Sequence, residues 1–152
     1  LATDNDAMLA RFAASIDAFG NSQGWWNRLL GLDDQQGLHL KKEGIFPLVH
    51  GVRSLALAEH LQETSTAARI DVLVARNVIT SALGADLTQS LHFLMGLKLK
   101  AGVTEMETQH AVSGLVNVSK LSTLERDLLK DALSVVKHFK VLLRSRFKLD
   151  AL

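Results

Sequence analysis

Residues 122–147 constrain the fold more than any other segment. Ser122-Thr123-Leu124-Glu125 has the spacing of a capping box, in which the Ser and Glu side chains each accept from a backbone N–H that the first helical turn leaves open. Behind it Leu124, Leu128, Ala132, Val135, Phe139, Leu142 and Phe147 recur at close to helical spacing for about seven turns. A helix apolar along one stripe and charged elsewhere gains little stability alone, so it must bury that stripe against other helices. The remainder of the chain is suited to supplying them. It is 152 residues long and 47% hydrophobic, with one Pro and no Tyr or Cys.

Four further segments carry the same pattern. Met8, Leu9, Phe12, Ile16 and Phe19 predict a helix from Asp4, as cap, to Phe19, stopped by Gly20-Asn21, and Trp25, Trp26, Leu29 and Leu30 add a turn or two. Leu32 to Gly44 reads as an ordered loop, with Leu38 and Leu40 alternating with His39 and Lys41 as in a short extended piece. Pro47 suits the first turn of a helix that buries Leu48, Val52, Leu55 and Ala56 and ends near His60. Thr64-Ser65-Thr66 offers caps for a short helix holding Ile70, Leu73 and Val74, ended by Asn77. A long helix from Thr80 or Ser81 follows, with the stripe Leu83, Leu87, Leu91, Leu94 and Met95, and with Gly96 and Gly102 as close-packing or bending points. Residues 110–120 read as a loop anchored by Val112, Leu115, Val116 and Val118. The expectation is an all-α, antiparallel bundle of about five helices, with 1–152 one domain that is a piece of a longer protein. Its core is expected to include Leu83, Leu87, Leu91, Leu124, Leu128, Val135 and Phe139.

Charge and motif content exclude several activities. Seventeen Lys and Arg face sixteen Asp and Glu, which leaves no basic excess for non-specific nucleic-acid binding. From Leu121 onward seven basic residues stand against four acidic ones, placed near a helix C-terminus where the backbone dipole favours cations. No run of ~18 uncharged apolar residues suggests a membrane span. There is no P-loop pattern and no G-x-S-x-G elbow. The six His, at 39, 50, 60, 92, 110 and 138, include no pair three or four apart, so no helical metal pair is written into the chain. Ser134-Val-Val-Lys137 matches S-x-x-K only as a short pattern on an amphipathic helix, and Asp4-Asn5-Asp6 reads as helix capping. Arg53 and His60 fit the loose R-x(4–6)-H spacing of HEPN-type ribonucleases, a minor alternative in which His is the acid or base and Arg steadies phosphate.

The densest polar region runs from Lys41 to Arg53. Lys41, Lys42, His50 and Arg53 surround a helix start, whose open N–H groups favour anions, and Arg69 on the next helix could complete a site for phosphate or carboxylate. These five are the candidate substrate-binding residues. No catalytic and no metal-ligating residue is assigned.

The runs LKKEGIFPLVHGVRSLALAEHL, TSTAARIDVL, DLTQSLHFLMGLKL and LSTLERDLLKDALSVVKHFKVLL resemble, in this order, the nucleotidyltransferase substrate-binding domain family, also called the DUF294 C-terminal domain. The resemblance spans roughly Met8 to Lys148, with Lys41, Pro47, Arg53, Thr66, Arg69 and Leu73 at its recurring positions. His39 stands where the family pattern has Asp, and Gly102 where it often has Gln. The resemblance implies an accessory domain directly after a nucleotidyltransferase domain similar to PII uridylyltransferases, with cyclic-nucleotide-binding and CBS modules further upstream. It implies a cytoplasmic, signal-regulated protein whose absent domain handles a nucleoside triphosphate and a divalent metal. This chain is then expected to need no cofactor, to perform no catalysis itself, and to meet that domain and an acceptor of unknown identity. A helical interaction or dimerisation module, pairing with a second copy, is the alternative.

Overall fold

The computed structural model describes residues 37–147 together with Ala7, Ala10 and Arg11. Those three have helical backbone, and Ala10 is buried. The rest of the expected Asp4–Phe19 helix, the Asp4-Asn5-Asp6 cap and the turns around Trp25 and Trp26 lie outside the described residues.

Four α-helices make up the described fold: α1 (Phe46–Ala58), α2 (Thr66–Ala75), α3 (Ser81–Glu107) and α4 (Thr123–Arg146). The only sheet among the described residues is a two-residue antiparallel ladder of β1 (Leu38–His39) and β2 (Leu115–Val116), pairing Leu38 with Val116 and His39 with Leu115. The chain is therefore all-α, as its periodicity predicts.

Local chemistry sets most helix limits. The hydroxyls of Ser65, Thr80 and Ser122 accept from the N–H of Ala68, Leu83 and Glu125, each at 3.1 Å. Glu125 completes the capping box by accepting from Ser122 N–H at 3.2 Å. The carboxyl ends of α1, α2 and α3 close in one way. The residue after the cap turns left-handed, at His60 (φ 56°), Asn77 (φ 57°) and Gln109 (φ 60°). Its N–H and the next one then reach back into the last turn, as in Leu61 N–H to Ala56 C=O at 2.9 Å and His110 N–H to Glu105 C=O at 2.8 Å.

α3 and α4 pack antiparallel, Lys100 meeting Glu125 at one end while Leu94 and Leu133 flank Gly44 further along. α1 lies on α4, and α2 joins α1 to α3. The core contains Leu48, Val52, Leu55, Leu73, Leu87, Leu94, Leu129, Leu133, Val136, Phe139 and Leu143.

Several core expectations need correction. Leu124 and Leu128 are exposed, and Leu83, Val135, Leu142 and Phe147 are only partly buried. The buried stripe of α4 instead runs Leu129, Ala132, Leu133, Val136, Phe139 and Leu143, one position round from the expected face. Met95, Val112 and Leu115 are also exposed, while Val116 and Val118 do anchor their loop. Gly96 and Gly102 are not close-packing points. A Cβ on Gly96 would meet nothing within 4 Å, and one on Gly102 would meet only Val112 at 3.8 Å.

Candidate functional site

The helical run that carries the candidate residues starts earlier than expected. Lys41–Ile45 is a π-helical turn that continues into α1, so Lys41 to Gly44 are not loop; Pro47 stands in the first turn of α1, as expected, but with helical backbone already before it. The cause is local. Proline lacks an N–H and its ring presses on the carbonyl four residues back, which a widened turn relieves. Here Phe46 N–H reaches five residues back to Lys41 C=O. Gly44 lets this turn sit against the core, since a Cβ there would come within 2.7 Å of Leu94 Cδ1 and 3.3 Å of Leu133 Cδ2.

One face of this run is buried at Gly44, Leu48, Gly51, Val52 and Leu55. The other carries Lys42, Phe46, His50, Arg53 and Leu57 at three- and four-residue spacing. Lys41, Lys42 and Arg53 are exposed and form no ion pair among the described residues. His50 is half-buried, its ring stacked on Phe46 with centroids 4.0 Å apart at 30°. Burial holds its pKa below the ordinary value, and the neighbouring Arg53 charge adds to the effect. Buried Ser54 fixes this turn from inside by donating to His50 C=O at 2.9 Å.

The structure thus brings Lys42, His50 and Arg53 onto one helix face with Lys41 beside them. Arg69 is engaged elsewhere. Its Nε donates to Glu63 C=O at 2.8 Å, and Arg76 Nη1 likewise donates to Glu59 C=O at 3.0 Å. Both arginines of this segment hold the α1–α2 connection. His60, the candidate ribonuclease acid or base, is the left-handed residue after the C-cap of α1, and no hydrogen bond or ion pair links it to Arg53. The Ser134 hydroxyl donates to Lys130 C=O at 2.8 Å rather than facing Lys137.

Two cavities have no counterpart among the sequence expectations. One, of about 440 Å³, lies between the carboxyl half of α3, β2 and the start of α4, with Leu97, Ala101 and Leu121 among its apolar walls and Lys120 among its lining residues. Its acidic groups are engaged, Glu125 with Lys100 at 3.0 Å and Glu105 with Ser113 N–H and Oγ at 2.8 and 3.1 Å. The other, of about 430 Å³, lies between α2 and α3 beside Gly84. Neither is lined by Lys41, Lys42, His50 or Arg53. No three His, Asp or Glu side chains among the described residues converge as a metal site.

The fold and this surface define a small helical domain that offers, along one helical run, exposed cations without ion pairs among the described residues, and concave surfaces elsewhere. Residues 6–147 match the family described as "Putative nucleotidyltransferase substrate binding domain", and the chain belongs to it. No curated protein and no solved structure matches the chain. His39 and Gly102, the two positions expected to depart from the family pattern, meet one loop: the His39 ring lies 3.6 Å from where a Gly114 Cβ would sit, and Gly102 faces Val112.

Proposed function

We propose that this chain is the acceptor-orienting domain of a signal-regulated, cytoplasmic nucleotidyltransferase-like protein, placed directly after a catalytic domain similar to PII uridylyltransferases, with cyclic-nucleotide-binding and CBS modules further upstream. In that reaction an acceptor oxygen or nitrogen attacks the α-phosphorus of a nucleoside triphosphate and pyrophosphate leaves. The catalytic domain supplies the divalent metal and the triphosphate site. This domain contributes alignment of the acceptor, which lowers the entropic part of the barrier.

One observation carries the reading. Lys41 and Lys42 are exposed in the first turn of a helical run whose one acidic residue, Glu43, is buried, with Arg53 further along it, and none of the three cations is ion-paired among the described residues. Cations at a helix N-terminus oppose the backbone dipole, at roughly 0.3–1 kcal/mol each. An anionic group on the acceptor relieves this repulsion and meets the open N–H groups as well.

The reading is checked by a ¹⁵N–¹H NMR titration of the chain with inorganic phosphate and with pyrophosphate. Shifts are expected at Lys41, Lys42, His50 and Arg53, and a Lys41→Ala/Lys42→Ala/Arg53→Ala variant should lose them while staying folded. Shifts confined to other helices, or unchanged in the variant, defeat the proposal.

A further inference from the structure

The carboxyl half of α3 is apolar on both sides. Its inner side, with Leu94 and Leu97, is core and continues the buried line of Leu87 and Leu91 from the amino half. Its outer side shows Met95 (53% exposed), Leu99 (69%), Val103 (44%) and Met106 (67%), with Val112 (58%) lying against Gly102 beside them. Single exposed apolar residues are ordinary, but a contiguous stripe on a helix marks a contact surface. Gly96, with nothing within 4 Å of a built Cβ, leaves room at its edge for another backbone.

We propose that this stripe is a homodimer seam, along which a second copy of the chain lays its own α3 antiparallel, with Lys98 of each copy facing Glu105 of the other. His92, Met95, Leu99, Gly102 and Met106 follow the three-four spacing of a two-helix seam. Reversing one copy about a point between Leu99 and Gly102 puts Met95 opposite Met106, and Leu99 opposite Gly102 with Val112 alongside. The pattern is complementary to itself, as an isologous interface requires. Charge selects the same pairing. Lys98 and Glu105, seven residues apart, flank the stripe on one side, so the reversal makes two Lys98–Glu105 contacts. Lys98 has no ion pair among the described residues, whereas Lys100, on the other flank, is neutralised by Glu125 at 3.0 Å. About a dozen residues per copy is less than the ~20–30 of a standard interface, so the dimer is weak and concentration-dependent. The seam uses no residue of the cationic face of α1 and stands independently of the proposed function.

Sedimentation velocity of the chain from about 2 to about 200 µM tests this. The wild type is expected to pass from one to two chain masses. Leu99→Asp, at a position exposed in the single chain, should leave circular dichroism unchanged and weaken association by about tenfold or more. Lys98→Glu should weaken it severalfold, and Lys98→Glu/Glu105→Lys should recover it. Because Glu105 also holds Ser113, an equimolar mixture of Lys98→Glu and Glu105→Lys chains gives a second route to the same attractive pairs. A wild type that stays monomeric throughout, as it would if an unlike domain covered the stripe, overturns the proposal. So does a dimer indifferent to Leu99→Asp, or one that neither charge pairing restores.

Discussion

The same substitution, Gly to Ala, should move stability in opposite directions at two helical positions. At Gly51 a new Cβ would stand 2.5 Å from Phe139 Cε2, 3.2 Å from Phe139 Cζ and 2.7 Å from Leu143 Cδ1. Carbon atoms rest at about 3.5–4.0 Å, so the methyl intrudes by roughly 1 Å on the ring. Phe139 and Leu143 are 1% and 2% exposed, and neither can retreat into solvent. Overpacking of this kind costs about 1–3 kcal/mol, against a helix-propensity gain of about 1 kcal/mol. The net is a loss of roughly 0–2 kcal/mol. At Gly96 the methyl meets nothing, and only the gain of about 1 kcal/mol remains. Urea unfolding followed at 222 nm, at low micromolar protein where the chain is monomeric, should show the Gly51→Ala midpoint below wild type and the Gly96→Ala midpoint above it, with the slope unchanged. Each kcal/mol corresponds to about 2–4 °C in Tm for a chain of this size. A Gly51→Ala variant more stable than wild type would refute the close approach of α1 to α4.

Two further outcomes are expected. Leu129→Ala should cost ~2–5 kcal/mol and Leu128→Ala under ~1 kcal/mol, because Leu129 is fully buried and Leu128 is 43% exposed; equal costs in urea melts would show the stripe of α4 wrongly assigned. His50, whose pKa in the folded chain lies below its ordinary 6.5, is neutral in both states above that value. As pH falls through 6.5 the unfolded chain takes up the proton first, so this contribution to stability is lost downward from there to the folded pKa. His50→Gln should flatten the fall in urea midpoint between about pH 7.5 and 5; an unaltered fall would assign it to other groups.

Helix α4 shows what periodicity can and cannot say. Its length, its capping box and its amphipathic character are local properties, and all are legible in the sequence. Its inward face is not, because apolar residues come in adjacent pairs: Leu128-Leu129, Val135-Val136 and Leu142-Leu143. Both members of each pair fit a three-four spacing, with Ala132 and Phe139 common to the two stripes. The choice is made by the opposing surface, where Gly51 leaves a space that Phe139 and Leu143 fill and Gly44 admits Leu133. Helix ends divide in the same way. Asn77 can be read as a left-handed terminator, since Asn tolerates that conformation, whereas Gln109 carries no such signal and is held by two backbone hydrogen bonds.

The backbone that carries the candidate residues is not legible in the sequence. Proline in a helix-forming stretch is compatible with two arrangements: a helix that begins at it, or a helix that widens around it. Sequence spacing does not separate them. Packing does, because Gly44 brings the turn before Pro47 against Leu94 and Leu133 and so holds it helical. The anion-favouring end shifts with it: the N–H groups that a first helical turn leaves without intrahelical partners belong to the turn carrying Lys41 and Lys42, not to the residues behind Pro47. Two exposed lysines there oppose the helix dipole, while the buried carboxylate of Glu43 in the same turn favours it. Under the proposed function an anion at that turn would convert the repulsion into attraction, and the helical run from there to Arg53 would set the span over which a larger acceptor is held.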